Sequence, residues 1–384
     1  MKSVTCTTGP SLALIKYWGK SPLPERNLPA TTSLAMTLDP LATTTKVILE
    51  VGTTEPDQVS IQGKVQNPQD AQDYFSNLKQ LVAGIIRQDP HGFAQEIQDG
   101  QPYRFIAEST NNFPTAAGLA SSASGYAALT GASVASLIHP ELQDYWFELL
   151  SIQEAELHHN PRISLEQLAR DRYTEPHLEP LAKLPGLDLL SRLARFGSGS
   201  ASRSVFGGYT LFPKDSPEAH PLAPSAFWPE LRIVLVPVSN QKKPVSSRDA
   251  MNLSRDTSPY YQAWINDAEL TSKSAQEAFL KQDLEQLGQL MRVSYLRMFS
   301  TMFSSNPPVM FWLPGSVAIM KACEELRGSG IPAWETMDAG PQVKILTLEQ
   351  HTNQILQTLG ELLPNVSPVV CAAGPGLRFT KEEL

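Results

Sequence analysis

Apolar and polar positions alternate near the start of the chain, and the alternation stops at a charge. In SLALIKYWGK, from Ser11 to Lys20, a strand would place Leu12, Leu14 and Lys16 on one face and Ala13, Ile15 and Tyr17 on the other. Lys16 either marks where the strand runs out into water or is carried into a site that needs a cation, with Lys20 arriving beyond a Trp-Gly turn. The β-branched, partly alternating segments 28–38 and 43–51 predict strands of an antiparallel sheet, and 103–108 a further short strand. Apolar residues three and four apart predict an amphipathic helix over 73–88, and the small-residue segment 111–137 reads as a loop feeding a tightly packed Ala-rich helix.

From about 139 to 185 the pattern turns polar and proline-punctuated, with a helical piece at 142–157. A second Gly/Ser-rich segment, 197–209, leads into a short strand at 210–212. The stretch PKDSPEAHPLAP, from Pro213 to Pro224, then precedes the strand-like 231–238, and the domain boundary is placed in it, dividing the chain into 1–214 and 215–384. Helices are predicted over 259–280, 284–302 and 315–326, and strands over 343–348 and 366–372. The fold class is α/β (α+β).

Composition narrows the chemistry. A chain of 384 residues, 41% hydrophobic, can bury a substantial core. A net charge of −8 without a basic run argues against a nucleic-acid groove, so any bound anion must be held by a few local cations. Cys6, Cys323 and Cys371 are too few and too scattered for a disulfide framework or zinc cluster, which predicts a reduced, cytoplasmic setting. No segment approaches the roughly 18 continuous apolar residues of a membrane span, and the N-terminus lacks the apolar core of a secretory signal.

The loop PTAAGLASSASG, running from Pro114 to Gly125, is the most informative local pattern. Small residues let the backbone approach a ligand, and a helix starting directly after the serines aims free N–H groups and a positive dipole end at one spot. The same residues would also suit close helix packing, and the loop matches neither a P-loop nor a dinucleotide fingerprint. In MDAGP, from Met337 to Pro341, a Gly/Pro turn can present Asp338 as an acid or base, though an aspartate there is also an ordinary turn residue. His158 and His159 near Glu154 and Glu156 read as a solvated helix face rather than a metal site, and Trp18 is unassigned.

The small-residue loop, with proline four residues before Gly-Leu-x-Ser-Ser-Ala at the start of a helix, resembles the phosphate loop of the superfamily that includes galactokinase, homoserine kinase, mevalonate kinase and phosphomevalonate kinase. Within it, ALIKYWGK (Ala13 to Lys20), NFPTAAGLASSAS (Asn112 to Ser124), GSGSASRSVFGG (Gly197 to Gly208), VSSR (Val245 to Arg248) and MDAGPQV (Met337 to Val343) resemble, in order, the mevalonate diphosphate decarboxylases. The resemblance implies a two-part fold around a deep central cleft, with 1–214 binding ATP and 215–384 carrying the Asp338 motif. It implies ATP- and Mg²⁺-dependent conversion of mevalonate 5-diphosphate to isopentenyl diphosphate, ADP, phosphate and CO₂, a step of isoprenoid biosynthesis.

On this resemblance Asp338 orients or deprotonates the tertiary hydroxyl, and Lys16 and Arg203 act with it. Tyr17, Lys20, Ser198, Ser200, Ser247 and Arg248 hold the substrate's carboxylate and diphosphate. Pro114, Ala117, Gly118, Ala120, Ser121, Ser122 and Ser124 form the ATP site. Protein ligands to the metal are unassigned, no nucleic acid or membrane is implied as a partner, and a homodimer is left open. Ser11, Thr31 and Ala250 depart from the family's usual Asn, Asn and Gly, and 139–185 is longer than the usual connection. The rival readings are a decarboxylase of the monophosphate, a kinase of the tertiary hydroxyl, and a non-catalytic ligand-binding regulator.

Overall fold

The computed structural model describes residues 3–23, 27–88, 97, 100–113, 121–174, 177–239, 241 and 243–382. Its strands in the first half are β1 (Ser3–Thr8), β2 (Ser11–Ile15), β3 (Ser33–Asp39), β4 (Thr43–Val51), β5 (Gln58–Ile61), β6 (Lys64–Val65), β7 (Tyr103–Asn111) and β8 (Tyr209–Phe212). Those that follow are β9 (His220–Ala223), β10 (Leu231–Val236), β11 (Trp334–Met337), β12 (Val343–Leu348), β13 (Val369–Ala373) and β14 (Arg378–Glu382). One sheet has the order β14-β1-β4-β7-β5-β6; the other runs β11-β12-β10-β13-β3-β8-β9, with β2 added on β3.

Burial explains which strands alternate. In β4, Thr43, Thr45 and Val47 are buried while Thr44, Lys46 and Ile48 are less so, as expected of a sheet with one wetter face. β2 is buried at every position and β10 at all but Arg232, so both read as near-continuous apolar runs. The helix Ser121–Ser136 is buried over most of its surface because its small side chains let it lie close to β1 and β4. A Cβ on Gly131 would stand 2.7 Å from the Cys6 sulfur, so glycine is required by the close approach.

Two expectations of the sequence look different in three dimensions. The segment 139–185 supplies core: the helices Pro140–Leu157, Leu165–Arg172 and Leu178–Ala182 bury Trp146, Leu149, Leu168 and Leu181 in one hydrophobic cluster. The proline-rich 213–224 forms the turn and second strand of the β8–β9 hairpin, so the expected division at 214/215 falls inside a hairpin. The chain also returns across it, since β14 pairs with β1 and β13 with β3. The helix Leu284–Phe303 packs against β11 and β2, and from it Ser294 accepts the Lys16 N–H at 3.0 Å.

Candidate active site

Lys16 does not run out into water. The β2–β3 register shifts between Ala13 and Ile15, the strand ends at Ile15, and the Lys16 side chain is only 1% exposed. Its Nζ donates to the Ala13 carbonyl at 2.7 Å and to Asp338 Oδ1 at 2.8 Å. Asp338 follows directly on β11, and its Oδ2 accepts from Lys344 Nζ at 2.9 Å. Lys344 lies on β12, 2% exposed, and was not read from the sequence as a site residue. The signal was present, because VKILTL, from Val343 to Leu348, is a second apolar strand interrupted by a lysine. Three residues before the aspartate, fully buried Glu335 accepts from Arg292 at 2.6 Å and Arg327 at 2.7 Å, which pins β11 to the helices behind it.

These contacts set the charge state. Burial would raise the Asp338 pKa, but the two lysines outweigh it and hold the carboxyl well below the usual carboxylate range. Lys16 is pushed down to about 8, chiefly by burial; Asp338 opposes that shift and Lys344 adds to it. Asp338 is therefore an ionised acceptor with 29% of its side chain open to the cleft.

Arg203, in the short helix Ala201–Ser204, is 2% exposed. It donates to Ser33 Oγ at 2.6 Å and Ser11 Oγ at 3.4 Å and lies 5.9 Å from the Tyr17 ring centroid. Among the described residues no carboxylate lies within ion-pair distance of it, and burial pushes its pKa down to about 10. The Ser11 that departs from the family pattern is thus a direct partner of this guanidinium.

Around Asp338 and Arg203 opens a cleft of about 600 Å³, lined also by Lys20, Lys243 and Arg248. Ser198 and Ser200 hydrogen-bond each other at 3.0 Å on its wall, the Tyr17 hydroxyl donates to the Asn27 carbonyl at 3.3 Å, and Arg248 approaches the Gly197 carbonyl at 3.4 Å. Ser247 Oγ accepts from Lys243 Nζ at 2.7 Å, and the same ammonium reaches the Ala339 carbonyl at 3.0 Å. Lys243 is a further cation that sequence reasoning missed; nothing in QKKP, from Gln241 to Pro244, distinguishes it from a surface lysine.

Ser121 and Ser122 begin the Ala-rich helix and line both this cleft and an adjoining cavity of about 380 Å³ walled by Val59, Ile61, Tyr74 and Leu129. Tyr126 stands between the two, so close to Gly197 that a Cβ there would lie 2.1 Å from its ring. Ser124 instead is fully buried and pairs with the Thr43 hydroxyl at 2.6 Å. Pro114, Ala117, Gly118 and Ala120 lie outside the described residues. The structure thus gathers Lys16, Tyr17, Lys20, Ser121, Ser122, Ser198, Ser200, Arg203, Ser247, Arg248 and Asp338 on one cleft.

The remaining sequence features lie apart from this chemistry. The Glu154 carboxylate accepts the Gly207 N–H at 2.5 Å, and among the described residues no group of three or more His, Cys, Asp or Glu could hold a metal. Trp18 is buried and donates to Thr301 Oγ1 at 3.1 Å. Cys6, Cys323 and Cys371 are free and buried, and among the described residues no helix is long and apolar enough to cross a membrane.

An ionised carboxylate fixed by two ammonium groups, beside three further cations and a guanidinium with no acidic partner among the described residues, suits a polyanionic substrate whose hydroxyl reacts with a phosphoryl group. Known proteins agree. Residues 8–150 match the family described as diphosphomevalonate decarboxylase-like N-terminal domain, and 233–374 the mevalonate 5-diphosphate decarboxylase C-terminal domain. The diphosphomevalonate decarboxylase of Aspergillus fumigatus is 30% identical over 376 residues, covering 94% of this chain and 80% of that protein. The crystal structure of mevalonate diphosphate decarboxylase from Staphylococcus aureus is 30% identical with a TM-score of 0.76, covering 99% and 98% of the two chains. The complex of MDDEF with MVAPP, AMPPCP and magnesium is 31% identical with a TM-score of 0.75, covering 99% of each.

Proposed function

This chain belongs to the diphosphomevalonate decarboxylase family, and from that premise we propose that its cleft takes mevalonate diphosphate beside ATP and releases isopentenyl diphosphate, ADP, phosphate and CO₂. The feature that carries this proposal is Asp338, ionised and held at both oxygens, beside an Arg203 with no carboxylate within ion-pair distance among the described residues. Asp338 accepts a hydrogen bond from the tertiary hydroxyl and aligns its oxygen for attack on the γ-phosphoryl group of ATP. Lys16, with one N–H on Ala13 and one on Asp338, has its third for the charge that develops on the transferring group.

Once the hydroxyl is phosphorylated, its carbon–oxygen bond breaks and phosphate leaves with the electron pair. The bond to the carboxylate carbon then supplies the alkene, and CO₂ departs. Arg203, with Ser198 and Ser200, holds the carboxylate end in place until phosphate has left, while Lys20, Tyr17, Ser247 and Arg248 hold the diphosphate. The cavity of about 380 Å³ beyond Tyr126 takes the nucleoside, which puts the ATP phosphates at Ser121 and Ser122. The excess of cations over acids in the cleft fits phosphate chemistry, and the Ser121 and Ser122 hydroxyls are the groups of this chain that would approach Mg²⁺. Bound with ATP, that ion supplies neutralisation of phosphate charge.

The number of cations favours the diphosphate over the monophosphate. A cytoplasmic location fits the three unpaired cysteines, and a homodimer is the assembly to be checked by sedimentation. Phosphorus NMR of a mixture with mevalonate diphosphate, ATP and Mg²⁺ should show isopentenyl diphosphate, ADP and phosphate growing together. A folded protein that yields none of them rejects the proposal.

A further inference from the structure

Lys344 has no part in the chemistry above, yet it places a buried charge on Asp338. β12, on which it lies, is otherwise made of Val, Ile, Leu and Thr. A lysine there loses its hydration unless a carboxylate compensates, and Lys16 already neutralises the same carboxylate. For charge balance the second lysine is redundant; for geometry it is not. Lys344 pairs across the ladder with Thr336, two residues before Asp338, so its anchor is the strand beside the one that ends at the aspartate. Lys16 comes from a different direction, the end of β2.

We propose that Lys344 is a positioning residue: it grips Oδ2 of Asp338 so that the carboxylate cannot rotate away from Lys16 and the reacting hydroxyl. The cations facing Asp338 are Lys16 from the end of β2, Lys344 from β12, Arg203 from the helix Ala201–Ser204 and Lys243 from the segment before the helix Ser247–Thr257. Removing one of the two in direct contact leaves the carboxylate paired, so a neutral residue at 344 should be tolerated by the fold. The Lys16 pKa, lowered to about 8 in part by Lys344, should then rise. The catalytic half of this inference rests on the function proposed above; the electrostatic half needs no substrate.

The test compares the full-length wild type with Lys344→Met and Lys344→Gln. Carbon-13 NMR of ε-labelled lysine, with Lys16 assigned by its loss in Lys16→Met, reads the Lys16 titration in the free protein. The midpoint should rise by about 1 pH unit or more in both variants, the scale expected on removing a like charge in contact with the same carboxylate. With mevalonate diphosphate, the alkaline limb of kcat/KM should move up by the same amount. kcat should fall by about 10²-fold, the cost of slight misplacement, with KM little changed. Midpoints that stay put or fall in the folded variants overturn the inference, and so does a rise in KM at constant kcat, which would make Lys344 a substrate contact. Raised midpoints in the variants, with a folded wild type that turns over no mevalonate diphosphate, would uphold the electrostatic coupling and reject the proposed function instead.

Discussion

Replacing Arg203 with methionine should make the protein more stable and far less active. The guanidinium is 2% exposed, with hydroxyl partners and no carboxylate in reach among the described residues. Burial lowers its pKa from 12.5 to about 10, which at about 1.4 kcal/mol per pH unit is a charge penalty of about 3.5 kcal/mol. Methionine fills similar space without the charge but removes the donor to Ser33 and the longer one to Ser11, a loss of about 1.5 kcal/mol. Urea unfolding at pH 7 should therefore show a net gain of about 2 kcal/mol. Without substrate the charge opposes folding; on the proposed function it pairs with a substrate carboxylate or phosphate. Truncating one partner of such a pair costs about 2–5 kcal/mol, or about 30- to 5,000-fold in kcat/KM. Arg203→Lys should recover only part, since an ammonium cannot offer two parallel N–H bonds. A methionine variant that unfolds more easily than wild type while keeping its turnover would show that Arg203 is structural and the reasoning wrong.

Asp338→Asn should abolish ADP and CO₂ formation together, because phosphorylation precedes decarboxylation, with substrate affinity within about tenfold by calorimetry; release of either product at the normal rate contradicts this. For free-enzyme kcat/KM, activity should decline as pH rises through about 8, where Lys16 loses its proton. The stability contribution of Lys16 runs the other way: its folded pKa lies below its ordinary 10.5, so between about 8 and 10.5 the unfolded chain binds more protons and stability rises with pH. A flat kcat/KM across that window would remove the charged lysine from the mechanism. Gly197→Ala should weaken both ATP and mevalonate diphosphate binding, because its Cβ would push on the Tyr126 ring that both cavities share; unaltered affinity for both ligands would show the ring to be free to shift.

What the sequence revealed depended on whether the signal was local. Lys16 stood out because a charge at the end of an apolar strand face violates alternation, and Asp338 because a Gly/Pro turn presents it. Lys344 breaks the same rule, but it lies within a strand buried on both faces, where no alternation exists for a charge to interrupt. Lys243 carries no local mark, and only the fold brings it to the Ala339 carbonyl. The pairings of β1 with β14 and β3 with β13 join residues more than 300 positions apart, which no window of periodicity can register. Residues 213–224 misled for a physical reason: prolines that punctuate a linker are also tolerated on an edge strand, and β9 is the edge of its sheet.

The central claim is that this cleft phosphorylates and then decarboxylates a diphosphate-bearing tertiary alcohol. It is tested most directly by timing ADP and CO₂ release side by side with mevalonate, its monophosphate and its diphosphate. The account predicts one CO₂ per ADP with the diphosphate, and a kcat/KM about 10- to 100-fold above that for the monophosphate, the worth of charge-assisted contacts to one more phosphate. ADP released without CO₂ would make the protein a kinase, preference for the monophosphate would reassign its substrate, and no turnover of any of the three by folded protein would contradict the account outright.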